Sequence, residues 1–219
     1  MHVQKISGHF YRIMLLKTTQ KAFTLIAKQP WLSTFYLAGG SALALQYNHR
    51  LSEDLDFFTE TRFDPKQLKE ELMSLGDLQI TLETGHSITG SFNKAKVTFL
   101  YYRYPLIRPL VTGKAPPALC HPLDIGLMKI EAVAGRGRKR DFVDLYFICQ
   151  KEMSLPDLFE LYPKKFGQNE TPLYYLLKSL CYFNDAEDDP EILTSPRVPW
   201  LKIRRFFEEA TRSLAKKLL

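Results

Sequence analysis

Two short groups of residues near the start of the chain have types and spacing suited to phosphate chemistry. Gly39, Gly40 and Ser41 form a turn that opens a predicted helix. Glycines let backbone N–H groups approach an anion closely, and a helix N-terminus favours a phosphate through its exposed donors and dipole. Asp54 and Asp56 follow, two residues apart on a predicted strand, so they should point to one face and could hold Mg²⁺. A phosphate-binding turn beside a magnesium site is an arrangement that could bind a nucleoside triphosphate.

A second group of charged residues lies on two predicted helices. A triphosphate needs cations besides Mg²⁺, and Lys129 could supply a point charge. Phosphate or an RNA backbone could be bound by Arg136, Arg138, Lys139 and Arg140. Asp141 and Asp144 are three apart on one helix face, where one of them could orient Lys129 or act as a base.

Simpler interpretations of these charges stay open at this point. Lys129 could be a surface lysine of an amphipathic helix. Asp141 could stabilise a helix N-terminus through the dipole. Asp144 could form an ion pair with Arg140, four residues earlier.

Both groups resemble the signatures of a known enzyme family. Gly40-Ser41, the spacer 42–53 and Asp54-x-Asp56 resemble the motif of the DNA polymerase β nucleotidyltransferase superfamily. The residues around that motif are similar to those of the AbiEii/AbiGii toxin branch. A second stretch, residues 121–147, is similar to the same branch through its Met-Lys and Lys/Arg-Asp-x-x-Asp-Leu patterns. The resemblance covers residues 36–58 and 121–147 closely and the rest only by layout.

The resemblance implies an activity and a set of site residues. It implies transfer of nucleotides from an NTP to an RNA acceptor, with tRNA as the expected RNA, and genetic pairing with an antitoxin. Mg²⁺ or Mn²⁺ would be bound by Asp54 and Asp56. The catalytic set would be Asp54, Asp56, Lys129, Asp141 and Asp144. The nucleotide or phosphate set would be Gly39, Gly40, Ser41, Arg50, Ser52 and Arg136, where Arg50 and Ser52 are also expected to brace the aspartate loop.

One departure from the superfamily pattern concerns a third carboxylate. Relatives usually carry it on a later strand, and the candidate strand here has Thr98 at the expected place. Asp141, Asp144 or Glu83 could supply the group, the site could use fewer carboxylates, or catalysis could be impaired. The alternatives to RNA transfer are therefore transfer to a small molecule or a protein hydroxyl, and a binding module for NTP or RNA without turnover.

The composition is typical of a globular protein, and the net positive charge suits binding to a phosphate-rich partner. The chain has 219 residues, 45% hydrophobic residues and a formal net charge of +6. Its three cysteines lack any Cys-x-x-Cys spacing, which argues against a zinc site or a disulfide framework. Charged residues interrupt Met1 to Lys21, and no stretch has the length of a membrane span, so we expect a cytoplasmic protein without a membrane partner.

The predicted elements divide the chain into two parts. We expect an α/β (α+β) fold, with a nucleotidyltransferase-type mixed sheet and flanking helices in residues 1–115. A helical domain that completes the active site is expected in residues 116–219. Helices are predicted over residues 9–28, 41–48, 64–75, 123–135, 139–151, 155–162, 172–182 and 199–218, strands over 35–38, 55–59, 78–83, 86–92 and 95–102, and a solvated loop over the acidic run 184–191.

Overall fold

The computed structural model describes residues 14–113, 117–167 and 171–218, with side chains up to residue 216. It divides into two compact units, which are residues 1–105 with 109–121 and residues 106–108 with 122–219. The sequence-based domains, residues 1–115 and 116–219, stay a prediction together with their functional assignment. Among the described residues, no helix combines the length and apolar character that crossing a membrane requires.

The first unit is built on a mixed sheet, which confirms the predicted fold class. Its six strands lie in the order β3-β4-β5-β2-β1-β6 within the described residues. The strands are β1 (Tyr36–Ala38), β2 (Leu55–Thr59), β3 (Leu78–Thr84), β4 (Ser87–Phe92), β5 (Ala95–Tyr101) and β6 (Ala118–Leu119). β2 pairs in parallel with β5 and β1 with β6, while the other neighbours are antiparallel.

Alternating burial gives the central strands one buried face. Leu55 and Phe57 of β2 are fully buried, as are Val97 and Phe99 of β5, whereas the residues between them are more exposed. The rings of Phe57 and Phe99 stack with centroids 4.9 Å apart. Because successive side chains of a strand point to opposite faces, the other face of β2 and β5 is the one available for chemistry.

Helices complete the described part of this unit. They are α1 (Lys17–Ile26), α2 (Gly39–Tyr47) and α3 (Pro65–Leu75), and a short 3₁₀ helix covers Pro30–Thr34. α2 packs on β1 and β2, and α1 packs on β5. As predicted, α3 begins after Asp64, whose side chain accepts a hydrogen bond from the Lys66 N–H, and it is followed by Gly76.

The predicted helix over residues 9–28 is shorter in the structure. Residues 9–13 of that prediction lie outside the described residues. Leu15 forms a parallel bridge with Ser52, so this segment is extended and the helix begins only at Lys17. The backbone hydrogen bonds to Ser52 outweigh the apolar periodicity there.

The second unit is helical. Its helices are α4 (Pro122–Arg136), α5 (Lys139–Lys151), α6 (Leu155–Phe166), α7 (Leu173–Ser179), α8 (Asn184–Glu187) and α9 (Trp200–Leu218). α4 packs against α5, α6 and α7, and α9 packs against α5 and α6. An aromatic core joins α5 to α9, where Phe142 contacts Phe183, Trp200 and Phe207.

Two sequence-based predictions for this unit are wrong. The sequence predicts that α6 ends before Pro163, yet it continues to Phe166. The helix tolerates the proline near its C-terminus, where the Gly167 N–H bonds to the Pro163 carbonyl. The acidic run was expected to be only a solvated loop. It instead contains α8, and Asp189 binds the N-terminus of α5.

Candidate active site

The glycine turn and Asp56 meet at the point where β1 ends. β1 ends at Ala38 and α2 begins at Gly39, whose φ is +63°. A Cβ built on Gly39 would collide with the carboxylate of Asp56, while a Cβ on Gly40 would collide with the guanidinium of Arg50. A larger residue at either position would have to displace these side-chain ends, and at Gly39 the left-handed backbone also favours glycine. The sequence-predicted turn and the second aspartate lie together in the structure.

Asp54 and Asp56 share one face of the sheet. Both side chains are partly exposed, and they alternate with the buried Leu55 and Phe57. β2 begins at Leu55, so Asp54 lies immediately before the strand, whereas the sequence placed it on the strand. The period of two continues through this residue, and both carboxylates therefore point to the open face.

Ser41 holds the loop that leads to Asp54. Its side chain is only 1% exposed. Its Oγ lies 3.0 Å from the Oγ of Ser52 and donates to the backbone carbonyl of Asp54. The sequence predicted that Ser41 binds phosphate, and the structure gives its hydroxyl a bracing contact with the aspartate loop.

The same loop is held by the chain just before α1 and by the first turn of α1. The backbone N–H of Ser52 bonds to the Met14 carbonyl at 2.9 Å, and the Leu16 N–H bonds to the Ser52 carbonyl at 3.3 Å. The hydroxyl of Thr19 donates to the Glu53 carbonyl at 2.7 Å. These bonds hold Ser52 and Glu53, the two residues before Asp54, and so restrict the backbone that leads to Asp54. The predicted bracing role of Ser52 is consistent with these backbone bonds.

Arg50 places a guanidinium beside the glycine turn. Its side chain reaches the backbone at Gly40, and Nη1 donates to the Leu51 carbonyl at 2.9 Å. The residue as a whole is 7% exposed. An always-charged group at the start of α2 adds to the positive potential of the helix N-terminus, which suits an anionic ligand.

The strand beside Asp56 carries no third carboxylate. In the parallel pair of β2 and β5, Asp56 lies next to Thr98. The alternative donor Glu83 lies on β3, which β4 and β5 separate from β2, and its carboxylate is 3.4 Å from the Lys69 ammonium. Neighbouring strands lie about 4.8 Å apart, and three such spacings separate β3 from β2. Glu83 is therefore too far from Asp56 for the two carboxylates to share a metal. Within the described part of the chain, no three His, Cys, Asp or Glu side chains form a metal-binding group.

Lys129 is the centre of a buried charge cluster in the helical unit. The residue is 5% exposed, which rules out a surface lysine. Its Nζ lies 2.8 Å from Asp141 Oδ1 and 2.7 Å from Asp144 Oδ2. Arg136 contacts the same Asp141 through Nε at 2.8 Å and Nη2 at 2.9 Å. The structure therefore brings together four residues of the second sequence signature.

The electrostatics of the cluster indicate what Asp141 can do. Burial on its own would raise the pKa of Asp141, but the charges and hydrogen bonds of Lys129 and Arg136 lower it to about 2. A carboxylate with so low a pKa is a weak base at neutral pH. The geometry thus favours the interpretation in which Asp141 orients Lys129 over the one in which it removes a proton.

The three basic residues predicted to bind RNA have different surroundings. Arg138 pairs with Asp189 at 2.8 Å, and the backbone N–H of Lys139 bonds to the Asp189 carboxylate at 2.8 Å. Lys139 is buried, and its Nζ donates to the Asp189 carbonyl at 2.5 Å. Lys139 therefore supports the start of α5, while the RNA contacts of Arg138, Lys139 and Arg140 stay a prediction.

Sequence reasoning missed a second buried ion pair. Asp124 and Lys165 are almost fully buried, with Nζ 2.6 Å from Oδ1. Asp124 also accepts the backbone N–H groups of Ile107 and Arg108 at 2.9 Å each. No local pattern marks these residues, because Lys165 is 41 positions away from Asp124.

Comparison with known proteins concerns the family and the fold of the chain. Residues 23–119 match the family model described as nucleotidyl transferase AbiEii toxin, type IV TA system. Protein aq_aa25 of Aquifex aeolicus (strain VF5) is 31% identical over 202 residues, covering 90% of this chain and 96% of that protein. The solved structure of MenT4, a nucleotidyltransferase toxin from Mycobacterium tuberculosis H37Rv, has a TM-score of 0.52 at 15% identity, covering 90% of this chain and 86% of that one, and this similarity concerns the fold. The chain belongs to the AbiEii family of nucleotidyltransferase toxins of type IV toxin–antitoxin systems.

Proposed function

We propose that this nucleotidyltransferase uses a divalent metal to transfer nucleotides from an NTP to an RNA acceptor, with tRNA as the expected RNA. The observation that carries the proposal is the close approach of the glycine turn and Asp56, where the absence of a Cβ on Gly39 leaves room for the carboxylate. A helix N-terminus thereby lies directly beside two carboxylates that share one face. Phosphate and cation could be bound side by side there.

The donor set fits a hard divalent cation. Asp54 and Asp56 offer carboxylate oxygens, the ligands that Mg²⁺ and Mn²⁺ prefer, and Mg²⁺ usually takes only one or two carboxylates, with phosphates and water as its other ligands. When bound, such a cation would neutralise charge on the phosphates. The open face of β2 leaves both side chains partly exposed for this purpose.

The chain's own groups would position the triphosphate. The first N–H groups of α2 have no partner inside the helix and could donate to phosphate oxygens. Arg50, held against Gly40, would add a fixed positive charge. With the phosphates so held, an acceptor hydroxyl attacks the α-phosphorus, the bond to the β-phosphate oxygen breaks, pyrophosphate leaves, and the hydroxyl proton passes to solvent or a base.

RNA is favoured over the other acceptors by charge. The formal net charge of +6 suits a polyanion, whereas a small molecule or a protein hydroxyl needs no such excess of positive charge.

A cognate antitoxin is the expected genetic partner, as the family description indicates. The predicted roles of Lys129 and Arg136 toward phosphate stay predictions, and the contacts of Lys129 with Asp141 and Asp144 are the arrangement that would orient its ammonium.

Labelled substrates test the proposal directly. The protein is incubated with each of the four labelled NTPs, Mg²⁺ or Mn²⁺, and pools of tRNA, other RNA, small molecules or protein. We expect label in RNA, lost on chelation with EDTA. Label in a small molecule or a protein would overturn the RNA assignment, and NTP binding without transfer to any pool would favour the binding module.

Asp56→Asn should abolish transfer and leave the fold intact. The change removes one negative charge without altering volume, so it weakens metal binding at a partly exposed position. Transfer rate, circular dichroism and thermal unfolding are measured together. Asp188→Asn makes the same change at an exposed carboxylate and should retain activity. Full activity in a folded Asp56→Asn protein would remove the metal-site assignment.

A further inference from the structure

The sheet face that carries Asp54 and Asp56 continues as a row of aromatic side chains. Phe58 is two residues beyond Asp56 on β2 and alternates with the buried Phe57, so it shares the open face. Its ring stacks on Tyr102, with centroids 5.0 Å apart and planes inclined by 25°. The rings of Tyr102 and Tyr104 pack edge to face, with centroids 5.2 Å apart. Phe58, Tyr102 and Tyr104 are called the aromatic row, and all three are partly exposed.

An exposed cation lies beside this row. Arg103 is exposed, and its guanidinium carbon is 4.8 Å from the centroid of the Tyr104 ring. Lys96 is also exposed on this face, but it precedes Thr98, the neighbour of Asp56, by two residues and so lies towards Asp54 and away from the row. Aromatic faces for bases together with cations for the backbone are the two components by which proteins bind single-stranded nucleic acid.

Strand order places the row on the acceptor's side of the two carboxylates. β2 lies between β1 and β5, and the glycine turn follows β1. In an in-line displacement, the attacking oxygen and the leaving pyrophosphate lie on opposite sides of the α-phosphorus. With the triphosphate at the glycine turn, the acceptor therefore approaches from the β5 side, where β5 leads into Tyr102.

Distance agrees with a base held close to the reacting hydroxyl. Two residues of a strand span roughly 7 Å, so Phe58 lies about that far along the face from Asp56. We propose that the aromatic row stacks an unpaired base at the 3′ end of the acceptor RNA and so positions the hydroxyl beside Asp54 and Asp56. This inference rests on the proposed function and adds to it the surface that binds the acceptor.

Binding of a fluorescent single-stranded RNA tests the row without turnover. In the Asp56→Asn protein, Tyr102→Leu should weaken RNA binding about tenfold, because it removes an aromatic face from the stack. Tyr102→Phe should retain affinity. Tyr101→Leu is the matched control, since Tyr101 is the neighbouring residue of β5, packs beneath Arg62 and points to the other face. Equal losses in Tyr101→Leu and Tyr102→Leu would overturn the inference.

An RNA that lacks its 3′-terminal base separates stacking from general weakening. This RNA should bind less tightly to the Asp56→Asn protein, and Tyr102→Leu should then cause no additional loss. Full additivity of the two changes would contradict a base on Tyr102. In the otherwise unmodified enzyme, Tyr102→Leu should raise KM for RNA and leave KM for the NTP unchanged, so a rise for the NTP alone would overturn the acceptor assignment.

The failure of the proposed function would look different. If the unmodified enzyme transferred label to no RNA, the proposed function and this inference would fall together. If it labelled RNA and Tyr102→Leu changed neither RNA affinity nor KM, only the inference would fall.

Discussion

Gly39 is the residue at which backbone conformation and chemistry coincide. Gly39→Ala should lower transfer severely, since a Cβ would displace the Asp56 carboxylate, and should cost about 1–3 kcal/mol of stability through its φ of +63°. Transfer rate and urea unfolding check the two effects. Gly85→Ala is the matched control, because a Cβ there meets no atom within 4 Å. A fully active Gly39→Ala protein would show that the close approach is unimportant.

Lys129 is predicted to serve the triphosphate, and its burial adds a consequence for stability. Lys129→Met should lower the free energy of unfolding by about 3–5 kcal/mol, because it leaves Asp144 and Asp141 buried without their shared ammonium. Urea unfolding measures the loss.

A second substitution distinguishes lost charge balance from lost packing around Lys129. The double variant Lys129→Met, Asp144→Leu should recover part of the stability, since one uncompensated carboxylate has also been removed. A double variant no more stable than the single one would point to packing. NTP affinity is interpretable only in variants that remain folded, and calorimetry on those variants then tests the predicted phosphate role.

At the scale of elements, Asp189 links the chain after α8 to the start of α5. Its side chain accepts the Lys139 N–H and pairs with Arg138, both at 2.8 Å. Asp189→Ala should lower the free energy of unfolding by about 1–2 kcal/mol, because the Lys139 N–H at the start of α5 loses its hydrogen-bond acceptor. Asp188→Ala, an exposed neighbour, should change it little. Similar losses in both variants would indicate a general effect of removing acidic charge.

At the scale of the whole molecule, Asp141 should contribute to acid sensitivity. Its pKa is about 2 in the folded protein against an ordinary 3.8. A folded-state pKa below the unfolded value means that the stabilisation is present above pH 3.8 and is lost as pH falls through 2. The contribution at neutral pH is about 2 kcal/mol.

The free energy of unfolding, followed from pH 6 to pH 2, checks this linkage. The difference between the unmodified protein and Asp141→Asn should shrink as the solution becomes more acidic. A difference that stays constant over this range would mean that the low pKa of Asp141 is not coupled to folding.

Much of the site could be predicted from sequence because its signals are local. The glycine turn, the period of two through Asp54 and Asp56, and the Asp64 cap before α3 each depend on residues a few positions apart. β2 begins and ends as predicted, and Thr98 indeed lies beside Asp56. The three-residue spacing likewise put Asp141 and Asp144 on one side of α5, where both contact Lys129.

Only the tertiary structure decided which charges serve the fold. Lys139 resembles a free basic residue in sequence, and its burial depends on Asp189, 50 positions away. Asp124 and Lys165 carry no local sign of pairing, and the bridge between Leu15 and Ser52 shortens a helix that periodicity favours. The physical reason is the same in each case: these contacts join segments far apart in the chain, so their free energy exists only after packing has brought the segments together.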